Sequence, residues 1–247
     1  MKRRNVIRDE ISNFCRRVSF SQTAVRLCES EATVKQENFL HLVLRKELEN
    51  REESRRARLL KEAAFPVYKT IDGYDWTTIK IPGTLNRKDL IEAAYVHDMR
   101  NIVMYGKVGT GKTHLAVALG IRACTLGIPV RFFSVAELVV RLSEASRNGT
   151  LERLLKSILK AQLIILDEWG YVPLDRQGSQ LLFRIISDSY ERRSMIITTN
   201  LEFSKWGTML TDDQMAAAMI DRLAHHGHLL IFEGESHRMK NALMKQK

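Results

Sequence analysis

Asn101-Ile102-Val103-Met104-Tyr105-Gly106-Lys107-Val108-Gly109-Thr110-Gly111-Lys112-Thr113-His114 is the stretch on which the fold turns. Residues 106–113 fit G-x-x-x-x-G-K-[ST] in full, and the motif has the context it requires. Residues 101–105 form a short apolar run of strand character, and residues 112–125 read as an Ala/Leu-rich helix. Glycines at Gly106, Gly109 and Gly111 let the backbone curl until successive N–H groups face a phosphate chain. The helix N-terminus adds favourable partial charge for an anion. The expected nucleotide contacts are Gly106, Val108, Gly109, Thr110, Gly111, Lys112, Thr113 and His114. Lys112 is expected to reach the β- and γ-phosphates of ATP, and the Thr113 hydroxyl to help hold Mg2+.

Working outward, Leu163-Ile164-Ile165-Leu166-Asp167-Glu168 is a buried-strand pattern ending in two acids, where ligands collect in parallel sheets. Asp167 is expected to bind Mg2+ directly or through water. Glu168 is expected to orient and polarise an attacking water, the pair being what a hydrolase needs. Asn200 follows Met195-Ile196-Ile197-Thr198-Thr199 as the polar tip of a further strand, placed to bond the γ-phosphate or that water, or to form a turn. Arg222 interrupts an Ala/Met-rich segment; it either pairs with Asp221 or reaches a neighbouring subunit's nucleotide to stabilise transition-state charge.

Helical and strand-like segments alternate from residue 85 onward. Helices are expected at 90–100, 112–125, 136–147, 151–160, 177–192 and 213–225, with strands at 101–105, 129–135, 163–167, 194–199 and 228–233. Such alternation implies a parallel sheet covered by helices on both faces. Residues 1–64 contain no Gly or Pro and read as helical throughout, with a helix start at Ser30 or Thr33. Phe39, Leu42 and Val43 follow at helical spacing, joined by Leu40, Leu44 and Leu48. Residues 49–58 are almost wholly charged, with Glu52 and Arg56 at i,i+4 spacing, and read as a solvated face. The domains expected are 1–64, helical, basic and placed to dock on DNA or a partner; 65–84, an apolar linker near the nucleotide; and 85–247, the ATPase.

Composition excludes several classes. The 247 residues hold no apolar run long enough to span a bilayer, and Asp9, Glu10 and Asn13 stand where a signal peptide needs apolar residues. A soluble, non-secreted protein is therefore expected. Cys15, Cys28 and Cys124 are too few and scattered for a disulfide framework or zinc site. His225, His226 and His228 lie at a helix-to-strand turn without evident carboxylate partners and read as structural. The net charge of +10 makes polyanions plausible partners, and residues 1–64 carry 15 Lys+Arg against 10 Asp+Glu.

The phosphate loop, Asp167-Glu168-Trp169-Gly170-Tyr171, Pro173-Leu174-Asp175, Ile197-Thr198-Thr199-Asn200-Leu201, Trp206-Gly207 and Gly234-Glu235-Ser236-His237-Arg238 together resemble the IstB family. These are ATP-binding helpers of bacterial insertion-sequence transposition, similar to DnaC-type helicase loaders. The resemblance covers about residues 21–238. It departs from the family at Trp169, where Leu is common, and at His237, where Tyr is frequent.

The resemblance implies an α/β fold: an AAA+-like P-loop NTPase whose parallel sheet is sandwiched by helices, preceded by a small all-helical N-terminal domain. It implies Lys112 and Thr113 as the Walker A pair, Asp167 and Glu168 as Walker B, and Asn200 as sensor 1. Arg222 matches the arginine-finger position and Arg238 a sensor-2-like arginine that touches the nucleotide. Little sequence follows Arg238, so a reduced or absent helical lid is expected. The implied partners are double-stranded DNA, a transposase and further copies of the chain with nucleotide between protomers. The implied location is the bacterial cytoplasm, at the nucleoid when on DNA. Initiator-type relatives line a DNA channel with extra helical structure resembling residues 141–160, which points to Arg141, Arg147, Asn148, Arg153 and Lys156 as DNA contacts. A replicative helicase loader and a small-metabolite P-loop kinase are the alternatives in function.

Overall fold

A computed structural model describes residues 2–240. Its internal contacts divide the chain into two compact units, Met1–Arg58 and Leu59–Lys247. The first unit holds α1 (Lys2–Arg17), α2 (Gln22–Ser30) and most of α3 (Val34–Ala63). Helix is therefore not continuous here. Ser19 turns left-handed at φ 65° after α1, and the Ser21 side chain caps α2 by accepting the Ala24 N–H. Of the two expected starts for the third helix, Thr33 is the nearer, its N–H and hydroxyl both donating to the Gln36 side chain at 2.8 Å.

The small core of this unit is Ile11, Cys15, Val18, Val25, Leu44 and Leu48. Phe39, Leu42 and Val43 share the helical spacing but lie exposed on the other side of α3. Glu37, only 1% exposed, accepts from Arg4 and Arg8, which hold its carboxyl below the usual carboxylate range. Residues 49–58 are exposed, and Glu52 pairs with Arg17 of α1 at 2.8 Å where Arg56 was the expected partner.

The second unit is built on six strands: β1 (Ile79–Lys80), β2 (Asn101–Gly106), β3 (Val130–Ser134), β4 (Leu163–Trp169), β5 (Ser194–Thr199) and β6 (Gly227–Phe232). Their order is β1-β6-β2-β5-β4-β3. The last five strands are parallel, as the alternation implies, and β1 adds an antiparallel edge against β6. The intervening helices are α4 (Arg87–Ile91), α5 (Ala94–His97), α6 (Lys112–Thr125), α7 (Val135–Arg147), α8 (Leu151–Ile158), α9 (Arg176–Ser189), α10 (Trp206–Leu210), α11 (Asp213–His225) and α12 (His237–Lys240).

The sheet is buried on both faces, which explains its continuous apolar runs. Ile165 of β4 joins one core with Ile102, Met104, Leu115 and Leu119. Its neighbours Ile164 and Leu166 join the other with Leu182, Ile197 and Met219. Phe65, Ile71, Tyr74 and Trp76 pack against the first core, which brings the segment before β1 towards the phosphate loop.

The expected helix over residues 90–100 is two short helices. Ala93, left-handed at φ 55°, separates α4 from α5. An Asn86/Asp89 capping box fixes the start of α4. The last described element is α12, and residues 241–247 lie outside the described residues. No helix among the described residues is long and apolar enough to cross a membrane.

Candidate nucleotide-binding site

The loops after β2, β4 and β5 emerge at the carboxyl edge of the parallel sheet, where α/β folds place their ligands. After β2 the chain turns through Gly109 and Gly111, left-handed at φ 80° and 96°. Both glycines are also sterically required. A Cβ on Gly109 would run into Ser236, and one on Gly111 would lie 2.8 Å from the Tyr74 hydroxyl. Tyr74 donates to the Gly111 carbonyl at 3.1 Å, and His114 packs edge-on against Tyr74 with Nε2 3.2 Å from the Thr70 carbonyl. The His237 N–H donates to the Gly109 carbonyl at 3.0 Å, which brings Arg238 to the same mouth. Lys69, Tyr74, Lys112, Thr113, His114 and Arg238 line a cavity of about 760 Å3. Thr110 is buried, its hydroxyl donating to Lys107, whereas the Val108 side chain is exposed.

Lys112 Nζ donates to the carbonyls of Gly106 and Lys107 at 2.6 and 2.7 Å. Burial pushes its pKa down to about 8; Asp167 pulls it upward and Arg238 lowers it further. A polyphosphate bound beside Lys112 would raise that pKa again, so nucleotide binding there is expected to take up a proton from about pH 8 upward. Affinity is expected to fall as pH rises through this window, by up to about tenfold per pH unit. Titration calorimetry in two buffers of different ionisation enthalpy measures the uptake. A heat independent of buffer would contradict it.

At the end of β4 the Asp167 carboxylate accepts from the hydroxyls of Thr113, at 2.9 Å, and Thr198. A register shift between Leu166 and Trp169 places Asp167 and Glu168 in a bulge. Glu168 is left-handed at φ 61° and exposed between two buried neighbours, and its N–H donates to Thr198 Oγ1 at 3.0 Å. One carboxylate is thus turned inward and its neighbour outward. Strain of this kind in a non-glycine residue persists where surrounding bonds hold it, often at functional sites. The Thr113 hydroxyl and Asp167 carboxylate are an all-oxygen pair of the kind Mg2+ takes, so the residues present fit that ion.

Asn200 sits in an exposed bend immediately after β5. The bend is tied down by Thr199, which donates to the Trp169 carbonyl at 2.8 Å and accepts the Leu201 N–H at 3.0 Å. Arg222 of α11 is not on the cavity lining. It donates to the Ala218 carbonyl at 2.8 Å and lies 5.1 Å over the Phe183 ring, in place of a pair with Asp221. Arg141, Arg147, Asn148, Arg153 and Lys156 are exposed on and between α7 and α8, which pack together. Arg141 is paired with Glu137, and Glu152 among them is paired with Arg184 at 2.7 Å. The histidines near the start of β6 do have a carboxylate partner, contrary to expectation: His226 Nε2 lies 2.9 Å from Glu191. His228 is separate and buried, 3.1 Å from the Thr84 hydroxyl.

Thr198 and Lys69 were not legible as site residues. Thr198 looks like any β-branched strand residue until β5 is placed beside β4, and Lys69 lies far from the motif in sequence.

A parallel sheet of this order with a glycine loop after its central strand β2 is a P-loop fold of the AAA+-like kind. The family model for IstB-like ATP binding proteins matches residues 19–245, and the chain belongs to that family. The insertion sequence IS21 putative ATP-binding protein of Pseudomonas aeruginosa is 38% identical over 205 residues, spanning 82% of this chain and 76% of that protein. The insertion sequence IS5376 putative ATP-binding protein of Geobacillus stearothermophilus is 31% identical over 245 residues, spanning 97% and 98%. Among solved structures, the DnaC helicase loader superposes with TM-score 0.54 at 24% identity, covering 71% of this chain and 98% of that one. AMPPCP-bound DnaA from Aquifex aeolicus gives TM-score 0.54 at 22% identity, covering 72% and 54%. At these identities the likeness to both structures is one of fold.

Proposed function

We propose that this protein is a DNA-binding ATPase that assembles on double-stranded DNA with ATP between protomers and assists a transposase. The observation that carries the reading is the Asp167–Glu168 bulge, one acid held by Thr113 and Thr198 beside the phosphate loop and the other turned outward. A nucleotide-binding protein without turnover has no use for the second acid. In this mechanism the loop N–H groups and Lys112 hold the phosphates, and Lys112 exchanges its two carbonyl partners for phosphate oxygens. Thr113 and Asp167 hold Mg2+, which when bound neutralises phosphate charge. Glu168 accepts the proton of the attacking water. Asn200 orients that water or the γ-phosphate, and Arg238 contacts the phosphates from the cavity rim. Arg222, which within its own chain donates to the Ala218 carbonyl and lies over the Phe183 ring, serves the nucleotide of an adjacent protomer.

Insertion-sequence relatives supply the context for a transposase partner. DNA phosphates meet the exposed cations of α7 and α8. Each phosphate neutralised there steepens the fall of log K with log salt by about 0.9. Weak sequence preference is expected, because phosphate contacts carry no sequence information.

The test is ATP turnover and sedimentation of the purified protein with and without duplex DNA, each with ATP and ADP. A large particle and raised turnover requiring DNA and ATP together is the expected result. A monomer indifferent to DNA would remove the roles given to Arg222 and the α7/α8 cations. The fold of the DnaC loader keeps a helicase partner as the second reading, and copurification with a replicative helicase in place of a transposase would favour it.

A further inference from the structure

Two turns meet where the parallel strands begin, at the edge of the sheet opposite the phosphate loop. One joins α9 to β5 and the other joins α11 to β6. Asn101, buried at the start of β2, ties both. Its backbone N–H donates to the His226 carbonyl at 2.7 Å, its side-chain Nδ2 to the Leu223 carbonyl at 3.3 Å, and its Oδ1 accepts the Met195 N–H at 3.0 Å. The backbones of the two turns are therefore held close to one another.

From this frame Glu191 of the first turn converges with His225 and His226 of the second, and one ligand atom from each lies within 4.8 Å of the others. His226 Nε2 is 2.9 Å from Glu191 Oε1, the Tyr190 hydroxyl is 2.8 Å from His225 Nδ1, and the two imidazoles stand edge-to-face at 4.2 Å. Glu191 is left-handed at φ 53°, an uncommon conformation for a residue with a Cβ. An exposed ion pair is worth little by itself and does not call for a second imidazole at the same point.

We propose that Glu191, His225 and His226 bind a divalent transition-metal ion of the zinc class. Two imidazole nitrogens and one carboxylate oxygen suit zinc, cobalt or nickel, whereas Mg2+ takes oxygen ligands throughout. The ion takes the place of the direct contact between His226 and Glu191, and small rotamer changes draw the three ligands to bonds of about 2.0–2.2 Å. The Tyr190 hydroxyl then orients the His225 ring from outside the coordination sphere. None of these residues lines the nucleotide cavity, so the site is separate from ATP binding. Occupied, it clamps the C-terminal turn of α11, three residues after Arg222, to the α9–β5 turn.

The experiment is calorimetric titration of Zn2+, and separately Mg2+, into the metal-free full chain without nucleotide, alongside Glu191→Gln, His225→Ala and His226→Ala. The parent should take up one equivalent of Zn2+ at this site and show no corresponding event with Mg2+. Loss of any one ligand should weaken uptake by at least the ~10–100-fold that loss of an outer partner costs. Co2+ should give visible absorption in the parent that is lost in His226→Ala. Unchanged ATP affinity in each variant establishes that it is folded. Absence of a Zn2+ event in the parent, or uptake unaltered in all three variants, would overturn the site by showing that any bound ion lies elsewhere.

Discussion

Glu168→Gln is expected to lower ATP turnover by roughly 10²–10⁴-fold, the usual range for loss of a positioned general base, while ATP still binds. The substitution keeps size and polarity and removes the negative charge and the basicity. Its surroundings favour a clean experiment, because the side chain is exposed. The left-handed backbone is held through its N–H by Thr198, which the substitution leaves in place. Lys112, Thr113 and Asp167 are likewise unaltered, so the phosphate and Mg2+ contacts proposed for them should persist. Under the proposed mechanism, hydrolysis removes γ-phosphate contacts that hold protomers together, and a blocked enzyme stays assembled on DNA longer. Single-turnover hydrolysis and light scattering after ATP is chased away measure the two halves. Turnover within a few-fold of the parent would take the base role from Glu168. Disassembly at the parent's rate, with hydrolysis blocked, would separate release from hydrolysis.

The part of the site written in contiguous residues was legible in the sequence, and the part made by pairing was not. Gly106–Thr113, with the apolar strand before it and the helix after it, announces itself because a phosphate cradle needs small residues at fixed offsets within one turn. The run Leu163–Leu166 reads as a strand because both faces of the sheet are covered. By contrast, the left-handed Glu168 depends on a bulge between β4 and β5, and no residue type marks it. Strand β1, two residues long, is below the length at which alternation can be seen. Helix α10 was hidden by Gly207, although Trp206 at its start is fully buried against Trp169. The single helix expected at 90–100 fails at Ala93, an alanine in a conformation that its own propensity disfavours. On α3 the apolar residues occupy more of the helix than one face, and spacing alone did not decide which of them are buried. The partner of His226 lies 35 residues away in sequence, so only the fold reveals it.

Thr198→Val tests the pairing that sequence could not supply. Valine matches threonine in shape and suits the buried strand β5, so the change removes the hydroxyl and little else. That hydroxyl donates to Asp167 and accepts from the Glu168 N–H, linking both acids. Its loss leaves the N–H without its acceptor, at a cost of about 1–3 kcal/mol, and frees the bulge from its register. Thermal unfolding should shift down by several degrees, since about 1 kcal/mol moves a domain of this size by roughly 2–4 °C. Turnover should fall further than that stability loss explains, on the order of 10²-fold, because a displacement of about 1 Å in a reacting group has that effect. Nucleotide affinity, which the proposed mechanism assigns to the loop and Lys112, should change little. Thr198→Ser, which keeps the hydroxyl, should restore most of the turnover. The sharper test combines variants. If Thr198 acts by positioning the two acids, then Thr198→Val added to Glu168→Gln should lower turnover far less than it does alone. Full additivity would mean that the Thr198 hydroxyl serves turnover by a route independent of Glu168.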